Sequence, residues 1–247
     1  STPACMREKF GAFLCPSDPS DPLSSGVTDN PNPATARTNY GFCRGDGMWS
    51  ADSDIPPSVY GDVRSRSMFN PLAFKGIESV VDGTSNTIAM GEFVKAQSGN
   101  SLMVKGGIVV YAFPDIRSAG NARLCLTATT DGVTLLNTGG FSQPNVRFAR
   151  GHRIIYGTLL MNMFQTLMPP NSPSCMSSDS DTAWGIYSSS SFHTGGVNSV
   201  LFDGSVLFIS DTINAGGTNS RQVENGPSMF GIWGAMGTPD GGENNHL

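Results

Sequence analysis

Residues 191–211 read SFHTGGVNSVLFDGSVLFISD. Two runs rich in β-branched and aromatic residues, 197–202 and 205–209, are separated by Asp203-Gly204. Such residues suit the pleated, half-buried surface of a sheet. An Asp-Gly pair can take φ > 0 at both positions, as a type I′ turn demands, and that turn's twist matches the strands it joins. The stretch therefore predicts a tight hairpin over 197–209.

Outward from the hairpin, the chain is punctuated. Upstream lies a Ser- and Asp-rich loop over 171–191, preceded by Pro169 and Pro170, which stop the apolar run 154–168 (a short helix or a buried strand). A loop from 114 to about 147 carries Cys125, and before it 105–113 (KGGIVVYAF) reads as a buried strand. The turn signal Asp82-Gly83 precedes a second apolar run at 87–90. Seven prolines fall between 16 and 62, denying that segment the donors of a helix or central strand, and only 38–43 looks extended there. Downstream, Gly, Asn and Pro dominate around one apolar island at 229–236. No repeat of 20–50 residues occurs, so a solenoid or propeller is not supported. The reading is one β-rich domain over 1–247, with long loop insertions at about 16–62 and 114–191.

Composition agrees. Of 247 residues, 38% are hydrophobic and 14% charged, enough apolar material for a core and too much for a disordered chain. Thirty glycines and sixteen prolines leave little room for long helices. Fifteen scattered basic residues against twenty acidic ones give a net charge of −5, which argues against nucleic acid as a partner. The longest apolar stretch, near 106–113, is far short of the roughly 20 residues that cross a bilayer. The chain opens Ser1-Thr2-Pro3 without a charged or apolar leader, and is expected to be a processed or trimmed product.

Five cysteines (Cys5, Cys15, Cys43, Cys125, Cys175) include no C-x-x-C pair, and no histidine stands at zinc-ligand spacing, which argues against a zinc site. The odd count suits an exported protein with two disulfides and one thiol over; five buried small hydrophobes in a cytosolic protein is the other reading. Catalytic motifs are missing: no G-x-S-x-G elbow and no phosphate-binding glycine loop. His193 with Asp203 would be the obvious base–orienter pair, but a turn role for Asp203 and a strand-approach role for His193 are favoured. Carboxylates and amides cluster at 46–54, 179–181 and 240–245, making Asp46, Asp52, Asp54, Asp179 and Asp181 candidate calcium ligands. None completes a twelve-residue calcium loop, so solvated acidic loops are the favoured reading; calcium stays possible and no other cofactor is expected.

Six ordered phrases are more specific: FLCPSDP at 13–19, TNY at 38–40, DGTSNTI at 82–88 ending in Gly91-Glu92, PPNSPSC at 169–175, His193 with nine residues between it and Asp203-Gly204, and GIWGAMGTPDGGE at 231–243. Together they resemble the planctomycete family of pilin-like proteins bearing the prepilin-type, processing-associated H-X9-DG motif. The resemblance implies an α+β, mainly β head. It would have a pilin-like antiparallel sheet, long disulfide-stapled loops and the carboxyl-terminal hairpin at 197–209. Val200, Phe202, Val206 and Phe208 would face inward or lie opposite those that do. Family members carry a cleaved leader and a long apolar amino-terminal helix, and a membrane would be met only through that helix. The loop cysteines Cys125 and Cys175 are expected to pair, and Cys15 with Cys43 or Cys5 second. His193, Asp203, Gly204, Asp82, Gly83, Thr84, Ser85 and Asn86 would be structural motif residues, 82–86 forming an Asx-type turn. The implied role is an exported, non-catalytic subunit at the cell surface or outside the cell. It would assemble with copies of itself or with other pilin-like subunits into a fibre or secretion-associated filament. A surface module for glycan or calcium and a secreted hydrolase using His193 are the rival expectations.

Overall fold

The computed structural model describes residues 4–23, 35–48, 66–69, 75–96, 102–111, 122–144, 150–180, 182–217 and 222–243. Among the described residues nine strands run β1 Tyr40–Cys43, β2 Ile88–Glu92, β3 Val109–Tyr111, β4 Phe141–Ser142, β5 Met163–Phe164, β6 Cys175–Met176, β7 Gly185–Ile186, β8 Gly196–Leu201 and β9 Val206–Ser210. The same residues hold two short α-helices, α1 Leu159–Asn162 and α2 Gly231–Gly237. The strands form two sheets, ordered β5-β1-β2-β8-β9 and β4-β3-β6-β7. No helix among the described residues is long and apolar enough to cross a membrane.

The fold is mainly β within an α+β class, with one departure from expectation. Both sheets are mixed: β1 pairs with β5, and β3 with β6, in parallel. Each pair is separated by a long stretch of chain, and only adjacent strands joined by tight turns must run antiparallel. The run 154–168 resolves into both alternatives, α1 followed directly by β5. Leu159, Leu160, Met161, Met163 and Phe164 are all buried, so no polar face reports a period.

The hairpin is β8–β9, in register from Gly196↔Ser210 to Val200↔Val206. Its turn differs from the two-residue type I′ expected. The Gly204 N–H donates to the Leu201 carbonyl at 3.0 Å and the Leu201 N–H to the Ser205 carbonyl at 2.9 Å. Gly204 alone is left-handed, at φ +85°. The loop is thus three residues, 202–204, with a glycine bulge, the other common hairpin closure. Asp203 avoids the strained left-handed region because its carboxylate accepts from the Ser205 N–H and hydroxyl at 2.8 and 2.6 Å.

Strand alternation divides the five-stranded sheet. One face presents Cys43, Ile88, Phe164, Val197, Leu201 and Ile209 to Trp233 and Met236 of α2. Burying a Leu or Ile side chain is worth about 1.5–3 kcal/mol. Three glycines in the seven residues of α2 make a poor helix sequence, so the docking of Trp233 and Met236 holds it. The opposite face carries the cross-strand row Phe42–Met90–Val200–Val206. Towards β5 this face is covered by Met163 and its neighbours, which pack on Phe42. Towards the edge strand it is open: Val206 is 61% and Phe208 54% exposed. Val200, Phe202, Val206 and Phe208 therefore take the opposite-face alternative.

Cys125, in a 3₁₀ segment over Ala122–Ala128, is disulfide-bonded to Cys175 on β6. The bond joins the segment to the four-stranded sheet inside a core that includes Val109, Leu135, Phe141 and Ile186. The second pairing expected, Cys15 with Cys43 or Cys5, does not form; all three are free thiols. Cys43 faces the α2 side of its strand and Cys5 is exposed, while Cys15 is held elsewhere.

Candidate functional site

Asn39 organises the neighbourhood of Cys15. Its N–H donates to the Phe13 carbonyl at 2.8 Å, and its side-chain oxygen accepts the Cys15 N–H at 3.0 Å. Its amide nitrogen donates to the Asp18 carboxylate and to the Phe93 carbonyl. The Asp18 N–H closes a turn back onto the Cys15 carbonyl at 3.1 Å. Beneath it the Lys95 ammonium donates to Asn39 and lies 3.3 Å from Asp18. Burial alone would raise the Asp18 carboxyl, but bonds from Ser20 and Asn39 and the nearby ammonium hold it below its ordinary value. The FLCPSDP phrase is thereby clamped to the TNY phrase and to the end of β2.

Glu92 ends β2 with a side chain only 3% exposed. One of its oxygens, Oε2, accepts the Asn198 N–H at 2.7 Å, and the other, Oε1, accepts the Asn198 side-chain amide at 3.2 Å. His193 reaches the same carboxylate from the loop before β8. Its N–H donates to Ser191 Oγ at 3.1 Å, and that hydroxyl donates to the Gly196 carbonyl at 2.7 Å, which sets the loop's course. The ring atom His193 Nε2 lies 3.2 Å from Glu92 Oε1 and 3.7 Å from Cys15 Sγ. Cys15 Sγ is 4.0 Å from Glu92 Oε1 and 2.9 Å from Ser17 Oγ. Tyr40, paired with Glu92 across the sheet, has its hydroxyl pushed above its ordinary value by burial first, then by Cys15 and Glu92. Among the described residues, Cys15, Glu92 and His193 are the only three His, Cys, Asp or Glu side chains whose ligating atoms converge.

The remaining motif residues build a second junction. Asn86 donates its side-chain amide to the Asp82 carbonyl at 2.9 Å, and Thr87 its hydroxyl to the Gly83 carbonyl at 3.1 Å. Gly83 takes φ +102° at the turn, while Thr84 supplies a carbonyl to the Asp203 N–H at 3.0 Å. Ser85 is exposed. The Asp82 carboxylate does not close its own turn: it accepts the N–H groups of Gly241 and Gly242 at 2.6 and 2.9 Å. Asp203 is spent on its own turn, where the Ser205 hydroxyl and N–H hold its carboxyl below the ordinary value.

A family model described as a protein of unknown function (DUF1559) matches residues 2–216. The chain belongs to the DUF1559 family. This is the planctomycete-type, prepilin-like family that the six phrases resemble, and membership together with the Cys125–Cys175 disulfide is consistent with an exported protein. No curated protein and no solved structure matches the chain.

Of the acidic candidates for calcium, Asp46 is fully buried with Arg66 at 3.4 Å, and Asp179 is exposed on its loop. Asp52, Asp54 and Asp181 lie outside the described residues. Sequence spacing did not reveal Cys15 and Glu92 as partners of His193, because the three come from positions separated by 77 and 101 residues. The signal was nonetheless present: each stands inside one of the six phrases of this DUF1559 protein.

Proposed function

We propose that this DUF1559 protein is a non-catalytic, exported structural subunit, the pilin-like head of a surface fibre or secretion-associated filament. The observation that carries the reading is the open face of the five-stranded sheet. Val206, 61% exposed, continues the apolar row onto the edge strand β9, and Phe208, 54% exposed, stands beside it on the same face opposite Asn198, while the other face is closed by α2. Apolar surface of this kind, on a strand that ends the sheet among the described residues, is normally covered by another element or chain. A neighbouring pilin-like subunit supplies that cover. The absence of catalysis is supported by the histidine geometry. In a nucleophile–base–orienter relay the acid takes the ring nitrogen that the nucleophile does not. Here Cys15 and Glu92 both approach Nε2.

Expression in the native host of Val206→Asp with Phe208→Asp, imaged by negative stain beside the wild type, tests the reading. Fibres from the wild type and none from a variant with an unchanged melting temperature support it. A wild-type protein that stays monodisperse at its native concentration, with no fibre on the cells, overturns it.

A further inference from the structure

We propose that Cys15, Glu92 and His193 form a binding site for one divalent ion of the zinc class. The site is independent of the filament role and needs no assembly to form. Three lone-pair donors of different types point at one spot. A triangle with sides of 3.2, 3.7 and 4.0 Å has its centre about 2.1 Å from every corner, against roughly 2.0–2.3 Å for zinc bonded to N, O and S. In the metal-free chain the three atoms rest on ordinary hydrogen bonds, Nε2 on Glu92 Oε1 at 3.2 Å and Cys15 Sγ on Ser17 Oγ at 2.9 Å. The single Nε2 can offer one proton or one lone pair, yet both the sulfur and the carboxylate oxygen approach it. One cation satisfies all three atoms at once.

The surroundings resemble a supported site. Asn198 fixes the Glu92 carboxylate through both oxygens, its N–H to Oε2 at 2.7 Å and its side-chain amide to Oε1 at 3.2 Å, and Oε1 also faces His193 Nε2. Cys15 is fixed by its own N–H to Asn39 and has the Ser17 hydroxyl beside its sulfur. Partners of this second layer orient metal ligands and sustain affinity. A thiolate and a carboxylate bring two negative charges into a pocket where Glu92 is 3% exposed, and a divalent ion neutralises both. The mixed sulfur, nitrogen and oxygen set favours zinc over calcium or magnesium, which take oxygen alone. His193, with a side chain 35% exposed, forms the open side through which an ion enters and where water completes the coordination. A bound ion would tie together three segments that no covalent link joins.

The test uses the whole chain, freed of metal with a chelator and titrated with zinc against a chromophoric competitor. One equivalent is expected, with affinity at least tenfold weaker in Cys15→Ser and in His193→Ala. Cobalt(II) is expected to give a thiolate charge-transfer band in the wild type that Cys15→Ser lacks. A second measurement needs no variant: iodoacetamide labelling of Cys15 is read by mass spectrometry against the exposed Cys5 of the same molecule. Zinc is expected to slow Cys15 alkylation at least tenfold relative to Cys5. Sub-stoichiometric zinc, or an unchanged Cys15-to-Cys5 labelling ratio, overturns the site.

Discussion

The Asp203 N–H donates to the Thr84 carbonyl at 3.0 Å, so the Asp-Gly turns at 82–83 and 203–204 abut. One belongs to the hairpin and the other precedes β2, and the Phe202 N–H adds a bond to the Thr87 carbonyl at 3.0 Å. Beyond them Asp82 reaches the carboxyl-terminal glycines. Three phrases distant in sequence thus meet at one corner of the five-stranded sheet. The corner is built from backbone groups, which explains why glycine and short polar residues recur in it.

Asp82 is the side chain on which that corner depends. Its carboxylate accepts two backbone N–H groups, and hydrogen bonds to a charged group are worth about 1.5–3 kcal/mol. Asp82→Ala is expected to lower unfolding free energy by about 2 kcal/mol in urea denaturation, and Asp82→Asn, which keeps one acceptor, by less. Amide exchange at Gly241 and Gly242 should quicken in both. Unchanged exchange in the alanine variant would show that these amides are held by something else.

What could be read from residues alone follows the range of the interactions. The hairpin is legible because its alternation and its Asp-Gly pair are local, although the turn gains a third residue once Asp203 bonds to Ser205. β2 is legible for the same reason. The parallel partners β5 and β6 are not, since each is two residues long, β5 inside a run buried throughout and β6 between serines, and neither leaves a periodic signal. The convergence of Cys15, Glu92 and His193 escapes spacing rules altogether. Those rules describe ligands carried on one local motif, whereas here Asn39, Lys95 and Asn198 do the positioning across the sheet.

The disulfide is expected to be a large single contributor to the stability of the four-stranded half. Closing a loop across 50 residues of separation is worth about 2–4 kcal/mol. Cys125→Ser with Cys175→Ser should lose about that much in denaturant titrations without reductant. Adding reductant to the denatured wild type before refolding should reproduce the loss. Equal stability of oxidised and reduced protein would contradict this account.

Arg150 offers a test of buried geometry. Its guanidinium donates to the carbonyls of Leu159, Met163 and Ser188 at 3.0, 2.9 and 3.3 Å and lies over the Phe93 ring at 4.7 Å. Burial lowers its pKa to about 10, so it stays charged at neutral pH. A lysine ammonium is a point donor that cannot span three carbonyls in a fork or stack on the ring. Arg150→Lys is therefore expected to cost about 2–4 kcal/mol, measured by thermal melting and denaturant titration. A loss under about 0.5 kcal/mol, the level of an ordinary surface change, would mean the fork is not needed.

Asp46 sets a pH dependence with a definite sign. Burial first, and Glu243 after it, raise its carboxyl from 3.8 to about 6, against the opposing pull of Arg66. The folded protein therefore holds this proton at pH values where the unfolded chain has released it. The contribution of Asp46 is full below about pH 4 and is lost as pH rises through about 6. The displacement corresponds to at most about 3 kcal/mol. Asp46→Asn removes the titration while keeping the side chain's shape. Unfolding free energies at pH 4.5 and 7.0 should thus diverge more for the wild type than for the variant. The variant should compare best with the wild type at pH 7.0, where the buried carboxylate is charged. Parallel profiles for the two proteins would show that Arg66 neutralises the carboxylate fully and that its proton leaves near the ordinary value.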